Sequence, residues 1–406
     1  MVGAGILLLP GTAATMAGPA SVLSWGVVCL LGLPLALTFA SLARRIPDAG
    51  GVATFTARAF GPLAGGIVGW FYFVASANGQ IIVPLTGGYY ASLALGLDRF
   101  GAFVVAGAIV AVSVAMNLAG LRVSARAQVA FAGAVAAVLV VACAVSAPRM
   151  SASAWTPFAP HGYAAAGNAL RLIFFAVFGW EAIAQLSAEF RDPRRDVLRA
   201  TLLSLAVVTL LYVGIAVATV ATRSYGSAAT DRVAVAVLIG RGVGLAARDA
   251  AAVVATLLAL ATCNAFVAAS ARLCYALSRD GFLPRRLGAL SSRGVPRGGV
   301  WLVGAWAGLG LGACYAAGAG AERLLVVSNS LGLMTYVLGT AAGVKLLAGV
   351  SRGIAAAACV LCIGAVPFFG FSAVIPVAVA LLALASRLTL RRLHDEGSGT
   401  SPRLER

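Results

Sequence analysis

Thirteen acidic residues occur in this chain, and only Glu181 falls well inside a long apolar run; Glu189 and Asp249 sit at the ends of such runs. Two kinds of chemistry suit a carboxylate placed there. Either it stays protonated and hydrogen-bonds a neighbouring helix, or it takes up and releases a proton during a working cycle. Its cost in an apolar medium favours the second, because such groups typically face a cavity or a partner.

The backbone offers chemistry as well. The first apolar run carries Gly3-Ala4-Gly5-Ile6-Leu7-Leu8-Leu9-Pro10-Gly11, and the sixth carries Phe174-Phe175-Ala176-Val177-Phe178-Gly179-Trp180-Glu181. Glycine inside a helix costs about 1 kcal/mol relative to alanine. A helix broken at such a place exposes N–H and C=O groups that can bind a ligand's carboxylate and ammonium. Close packing of small residues is the alternative for either run alone, and the carboxylate after the second break tips the balance toward a ligand site.

These groups need a scaffold, and composition names its medium. The 406 residues are 61% hydrophobic and 11% charged, with a mean hydropathy of +0.96. Soluble domains hold about 25% charged residues, so too little charge is present to wet a soluble surface. The chain reads as an all-α polytopic membrane protein with the lipid bilayer as its surround. Its net charge of +17 does not point to nucleic acid, because the basic residues cluster in short segments between apolar runs without aromatic interleaving. The seven cysteines all lie in apolar runs, and the Cys359/Cys362 pair lacks the further ligands that a metal site requires. They are expected to pack, and no metal site is expected. His161 and His394 are the only histidines, which speaks against the catalytic constellation of a membrane-embedded enzyme. Charge rings or carbonyl filters of a channel are not evident.

Breaking the sequence at charges, prolines and glycine clusters gives twelve apolar segments: roughly 2–20, 22–43, 62–96, 102–120, 126–146, 168–188, 199–221, 248–277, 299–317, 322–347, 353–370 and 371–390. All are expected to be helical, since an open chain satisfies its backbone in lipid in no other way. Of the 30 basic residues, 22 fall in one set of alternate loops and 8 in the other. That asymmetry predicts twelve spans in a cell inner membrane with both termini cytoplasmic. The loops at 147–167 and 222–247 read as connections or as lids carrying a short surface helix, connection being the expectation. Residues 391–406 are polar and expected to be a disordered cytoplasmic tail.

At this point the residues resemble a known group. Gly3-Ala4-Gly5-Ile6, Phe175-Ala176-Val177-Phe178-Gly179-Trp180-Glu181, Arg191-Asp192-Pro193-Arg194-Arg195-Asp196-Val197, Pro47-Asp48-Ala49-Gly50-Gly51 and Arg279-Asp280-Gly281-Phe282-Leu283-Pro284 occur in the order seen in the amino acid–polyamine–organocation transporter superfamily. Ala49-Gly50-Gly51-Val52-Ala53-Thr54-Phe55 is most similar to bacterial exporters of methionine and branched-chain amino acids.

The resemblance implies two inverted five-helix repeats, residues 1–146 and 147–347, followed by two peripheral helices over 348–390. It implies that segments 1 and 6 are unwound, with the substrate carboxylate on backbone amides of Gly3, Ala4 and Gly5, beside Ile6. The ammonium would sit on carbonyls near Phe175, Ala176 and Phe178, beside Gly179. Phe175 matches an aromatic gate and Glu181 an acidic position tied to proton response. Asn78, Ser328 and Asn329 are candidates for lining the pathway. The helix 5 lysine that replaces sodium in some relatives has no counterpart over 130–140, whereas Thr262, Asn264 and Ser270 offer oxygens for sodium or for bonds within their helix. The family has further residues before its glycine motif, so either the start lies upstream of Met1 or part of helix 1 is missing.

The implied function is secondary active transport of a small amino acid by alternating access: proton-coupled export of neutral hydrophobic amino acids, with no cofactor beyond the proton gradient. An importer or exchanger of amino acids or polyamines with the same fold is the alternative. The sequence carries no signal of oligomeric state.

Overall fold

The computed structural model describes residues 4–46, 51–120, 125–181, 193–292 and 294–398. Hydrocarbon gives a backbone N–H no partner, so the chain supplies its own through helices. The described residues form fifteen α-helices and short 3-10 turns, with no β-strand. In chain order they are α1 (Ala4–Ala17), α2 (Ser21–Arg45), α3 (Gly51–Phe60), α4 (Pro62–Leu95), α5 (Arg99–Leu118), α6 (Ala125–Ser146), α7 (Tyr163–Ile173) and α8 (Pro193–Ala221). There follow α9 (Ala228–Asp231), α10 (Ala234–Val243), α11 (Leu245–Arg279), α12 (Arg297–Ala316), α13 (Ala321–Leu346), α14 (Gly349–Ala365) and α15 (Val374–Ser398).

Nine continuous helical stretches among the described residues are long and apolar enough to cross a membrane. Two of them, Gly5–Arg45 and Gly349–Leu390, each join two helices through a 3-10 turn, and Tyr163–Val177 is a shorter apolar stretch. Together these account for the twelve segments read from the sequence. The motif residues Pro47 to Gly50 and Arg191-Asp192 lie outside the described residues.

Local chemistry sets the ends. Pro62 begins α4, where a missing N–H costs nothing. Gly96, at φ 66°, ends it in the left-handed conformation that glycine adopts without strain. The Asp98 carboxylate then accepts from the Gly101 N–H at 2.8 Å and starts α5. At 34 residues α4 is about 50 Å long, more than a hydrocarbon core of about 30 Å, so it must tilt or project.

α4 is the central post, packed against α3, α5, α11 and α13. Its approach to α11 depends on absent side chains: a Cβ at Gly87 would lie 2.6 Å from the Ala259 Cβ, and one at Gly69 2.9 Å from Leu277. In lipid, where apolar burial between helices is not itself a driving force, such close backbone contact supplies the packing energy.

Two expectations change. The segment 222–247 is a packed cap, because Ser227 caps α9 by accepting from the Thr230 N–H at 3.2 Å, and α10 buries Val235, Leu238 and Ile239. The Asp231 backbone sits so close to Gly11 of α1 that no side chain fits between them. The expected disorder from residue 391 is also wrong for 391–398: α15 continues through Arg391, Arg392 and Leu393, all good helix formers. Residues 399–406 lie outside the described ones.

At Gly88 a Cβ would collide with the carbonyl oxygen of Ala102 on α5, a backbone atom that cannot swing away. Gly88→Val is therefore expected to destabilise the protein by about 1–3 kcal/mol through overpacking. The thermal unfolding midpoint of purified protein in detergent should fall; an unchanged midpoint would show that α4 and α5 do not meet there.

Candidate functional site

After α7 the helix cannot continue. Phe174–Val177 tighten into a 3-10 turn, Phe178 turns extended at ψ 130°, and Gly179 takes φ 118°. Only glycine adopts that value without strain, so the Phe-Gly pair in the sequence is the break itself. It leaves polar backbone in a region of apolar helices, and side chains from elsewhere satisfy part of it. The amide of Asn329 on α13 donates to the Arg171 carbonyl at 2.7 Å and the Leu172 carbonyl at 3.1 Å, holding the end of α7. The Gly179 N–H donates to a Glu181 carboxyl oxygen at 3.0 Å.

The Tyr336 hydroxyl of α13 completes the arrangement, lying against that same Glu181 oxygen and 2.9 Å from the Val177 carbonyl. A hydroxyl has one proton to give. With Glu181 ionised, the Tyr336 proton points to the carboxylate; with Glu181 protonated, the carboxyl donates to Tyr336 and the hydroxyl turns to Val177. Both states are satisfied by one hydroxyl rotation, so the site accommodates either charge without moving a helix. Tyr72 of α4 lines the same cavities as this carboxylate.

Around the break lies a cavity of about 310 Å³. Its walls are Gly5 of α1, Tyr72, Gly79 and Val83 of α4, Phe131 of α6, the broken stretch, and Thr262 and Phe266 of α11. Apolar groups dominate, in keeping with a ligand whose body is apolar and whose polar part meets a few fixed groups. A second cavity, about 1040 Å³, is bounded by α3, α4, α11 and the residues after it, with Arg58, Arg272 and Arg279 on its rim. Tyr72 and Glu181 line both cavities. They form the partition between a small apolar chamber and a larger basic vestibule.

The placement of the expected residues is mixed. Gly5, Phe175, Ala176, Phe178, Gly179, Glu181 and Ser328 line the chamber, and a Cβ on Gly5 would sit 3.3 Å from the Phe175 ring. Ala4 opens α1, and Gly3 lies outside the described residues. Ile6 is instead fully buried among core side chains. Asn78 is not among the residues lining this chamber: the helical register that turns Ala75, Ser76, Gly79 and Val83 inward sends it to α12, where it accepts from the Trp306 indole at 3.1 Å. Asn329 fastens α7 and is likewise not a lining residue. On α11, Thr262 faces the chamber, whereas Asn264 accepts from Asn117 at 2.8 Å and Ser270 bonds Ser76 at 2.6 Å. Tyr72 and Tyr336 escaped the sequence reading. Their signal was a phenol in an otherwise apolar helix, which gives a position on no particular face without the fold.

Replacing Asn329 by alanine removes both bonds to the end of α7 at a buried site. The expected cost is about 1–3 kcal/mol, read as a lower unfolding midpoint in detergent, and substrate binding should weaken as the break loses its anchor. Wild-type stability would show that the α7 carbonyls are held by other means.

Comparison with known proteins adds the last observation. The amino acid permease family profile matches residues 1–386. The uncharacterized amino acid permease YecA of Bacillus subtilis (strain 168) is 32% identical over 384 residues, 94% of this chain and 90% of its own length. The L-methionine/branched-chain amino acid exporter YjeH of Escherichia coli (strain K12) is 28% identical over 413 residues, 98% of this chain and 95% of its own. The branched-chain amino acid permease BcaP of Bacillus subtilis (strain 168) is 29% identical over 235 residues, covering 52% of this chain and 50% of itself.

Proposed function

Because the chain belongs to the amino acid permease family, and so is a multi-pass membrane transporter of amino acids and not an enzyme, we propose that it exports neutral, hydrophobic amino acids by alternating access, coupled to protons through Glu181. The observation that carries this reading is the position of Glu181: 2% exposed, on the partition between chamber and vestibule, with partners for either protonation state.

In this reading the substrate carboxylate rests on the amides of Ala4 and Gly5 in the first turn of α1, where the helix dipole favours negative charge, and on that of Gly3, which lies outside the described residues. The ammonium meets carbonyls of the break, near Ala176 and Phe178, and Phe175 gates the chamber. The apolar wall formed by Val83, Phe131, Leu258 and Phe266 supports a neutral apolar side chain. No basic side chain lines the chamber among the described residues, which weighs against a second substrate carboxylate.

The excess of basic residues at the vestibule end supports a cytoplasmic vestibule and cytoplasmic termini. Export then requires the Tyr72–Glu181 partition to part, the amino acid to enter from the vestibule, and a proton to move the opposite way. Residues 1–146 and 147–347 are the two inverted repeats that rock about the chamber, with 348–390 peripheral.

The test is efflux of a panel of amino acids from loaded proteoliposomes, with and without an imposed pH gradient. Efflux of leucine or methionine should accelerate when protons run inward relative to the substrate, and Glu181→Gln should flatten that pH dependence while leaving substrate binding measurable. A retained pH profile in Glu181→Gln would remove this residue from the coupling. Accelerated uptake in the same direction as the proton would make the protein an importer.

A further inference from the structure

α4 carries six glycines whose surroundings differ in kind. At Gly65, Gly66, Gly69, Gly87 and Gly88 a Cβ would come within 3.0 Å of a neighbouring helix or of Phe282. Each of these glycines is explained by packing. Gly79 is not: the nearest atoms to a Cβ built there are two carbons of the Phe266 ring, at 3.7 and 3.8 Å, which is ordinary contact. The missing side chain at Gly79 therefore leaves its space to the chamber and not to a neighbour, since Gly79 and Phe266 both line it.

Glycine in the middle of a long helix costs about 1 kcal/mol relative to alanine. Nothing in the packing of α4 at this position offsets that cost, and its φ is not in the left-handed region. What glycine supplies is width. The chamber contains one other pair of this type, Gly5 beneath Phe175, where a Cβ would be tighter at 3.3 Å. The Gly5–Phe175 pair lies at the backbone-rich wall by the break. The Gly79–Phe266 pair lines the same chamber together with Val83, Phe131 and Leu258, the apolar groups that would receive an apolar side chain.

We propose that Gly79, beside Phe266, sets the largest side chain the transporter accepts: the absent methyl group at this wall gives the chamber the room that branched and long aliphatic amino acids need, and a methyl group at Gly79, seated against the Phe266 ring, removes it. This rests on the reading of the chamber as the amino acid site. One methylene in an apolar pocket discriminates substrates by about 10- to 200-fold. A Cβ at Gly79 takes its volume directly from the space a leucine or methionine side chain would fill.

The experiment measures transport of alanine, valine, leucine, methionine and phenylalanine in proteoliposomes for wild type, Gly79→Ala and Phe266→Leu. In Gly79→Ala the ratio of leucine to alanine transport should fall about tenfold, the loss being greater for the larger substrate. In Phe266→Leu, which widens the chamber, the ratio of phenylalanine to leucine transport should rise. Loss of all substrates in equal proportion, or an unchanged ratio in both variants, would overturn the size filter while leaving the chamber as the site. Should Gly79→Ala fail to accumulate in the membrane, Phe266→Leu carries the test alone, and an unchanged phenylalanine-to-leucine ratio there is the overturning result. Wild-type protein that moves none of the five would instead overturn the amino acid site, and the filter with it.

Discussion

A polar group surrounded by hydrocarbon has to find its partner inside the protein, and the stretch from Phe174 to Glu181 is where this chain meets that demand under most pressure. Elsewhere among the described residues the long helices satisfy most of their own backbone, with an outside donor at points such as the Leu7 carbonyl, which accepts from the Tyr90 hydroxyl at 2.9 Å. Here the helix stops, and the freed groups are taken up by side chains: Asn329 at the end of α7 and Tyr336 at Val177 and Glu181 reach across the fold, and the Glu181 carboxyl accepts from the Gly179 N–H two residues away. Three of these partners come from α13 or from the carboxylate itself. The helical frame can thus be read as what holds α13, α4 and α1 at the distances that such bonds allow.

The same demand explains why a carboxylate is tolerable at this depth. A fixed, unpaired charge there would cost several kcal/mol, whereas a carboxyl with a backbone donor on one side and two phenols beside it has partners in both protonation states. The phenols differ in their freedom. Tyr336 is fully buried and wedged among Phe39, Phe174 and Phe178, with ring centroids 5.4 to 6.0 Å apart. Tyr72 is half-buried and borders both cavities. Tyr336 is held in place by its packing, whereas Tyr72 faces open space on both sides.

Much of this was legible from sequence because membrane insertion acts on patterns that one chain displays: apolar runs of spanning length, basic residues in alternate loops, a Phe-Gly dipeptide followed by the one acid well inside an apolar run. Glu181, Phe175, Phe178 and Gly179 emerged together because the break is a property of consecutive residues. Asn78 and Asn329 were misplaced, and Tyr72 and Tyr336 passed over, because which side of a helix faces the lumen depends on tertiary packing. In lipid the periodicity that would reveal that side is faint, since both the outward and the inward faces of these helices are apolar. Gly79 was hidden for a related reason: six glycines on one helix look alike until the neighbour of each absent Cβ is known.

The end of the molecule opposite the vestibule carries the cap over 222–247, and magnitudes say what seats it. Arg232 bonds Glu322 at 2.8 Å and lies 4.7 Å over the Tyr89 ring, tying the cap to α13 and α4. Both charged side chains keep a quarter to a third of their exposure, and a pair so wetted is worth about 0.2–1 kcal/mol. The cap also buries Val233, Val235, Leu238 and Ile239, each at 3% exposure or less, and burial of a side chain of this size is worth about 1.5–3 kcal/mol. The apolar face of α10 outweighs the ion pair several-fold. The cap is also seated on α1, because the backbone of Asp231 rests directly on Gly11. The ion pair can break at little cost while the apolar face stays buried, so it aligns the cap more than it holds it.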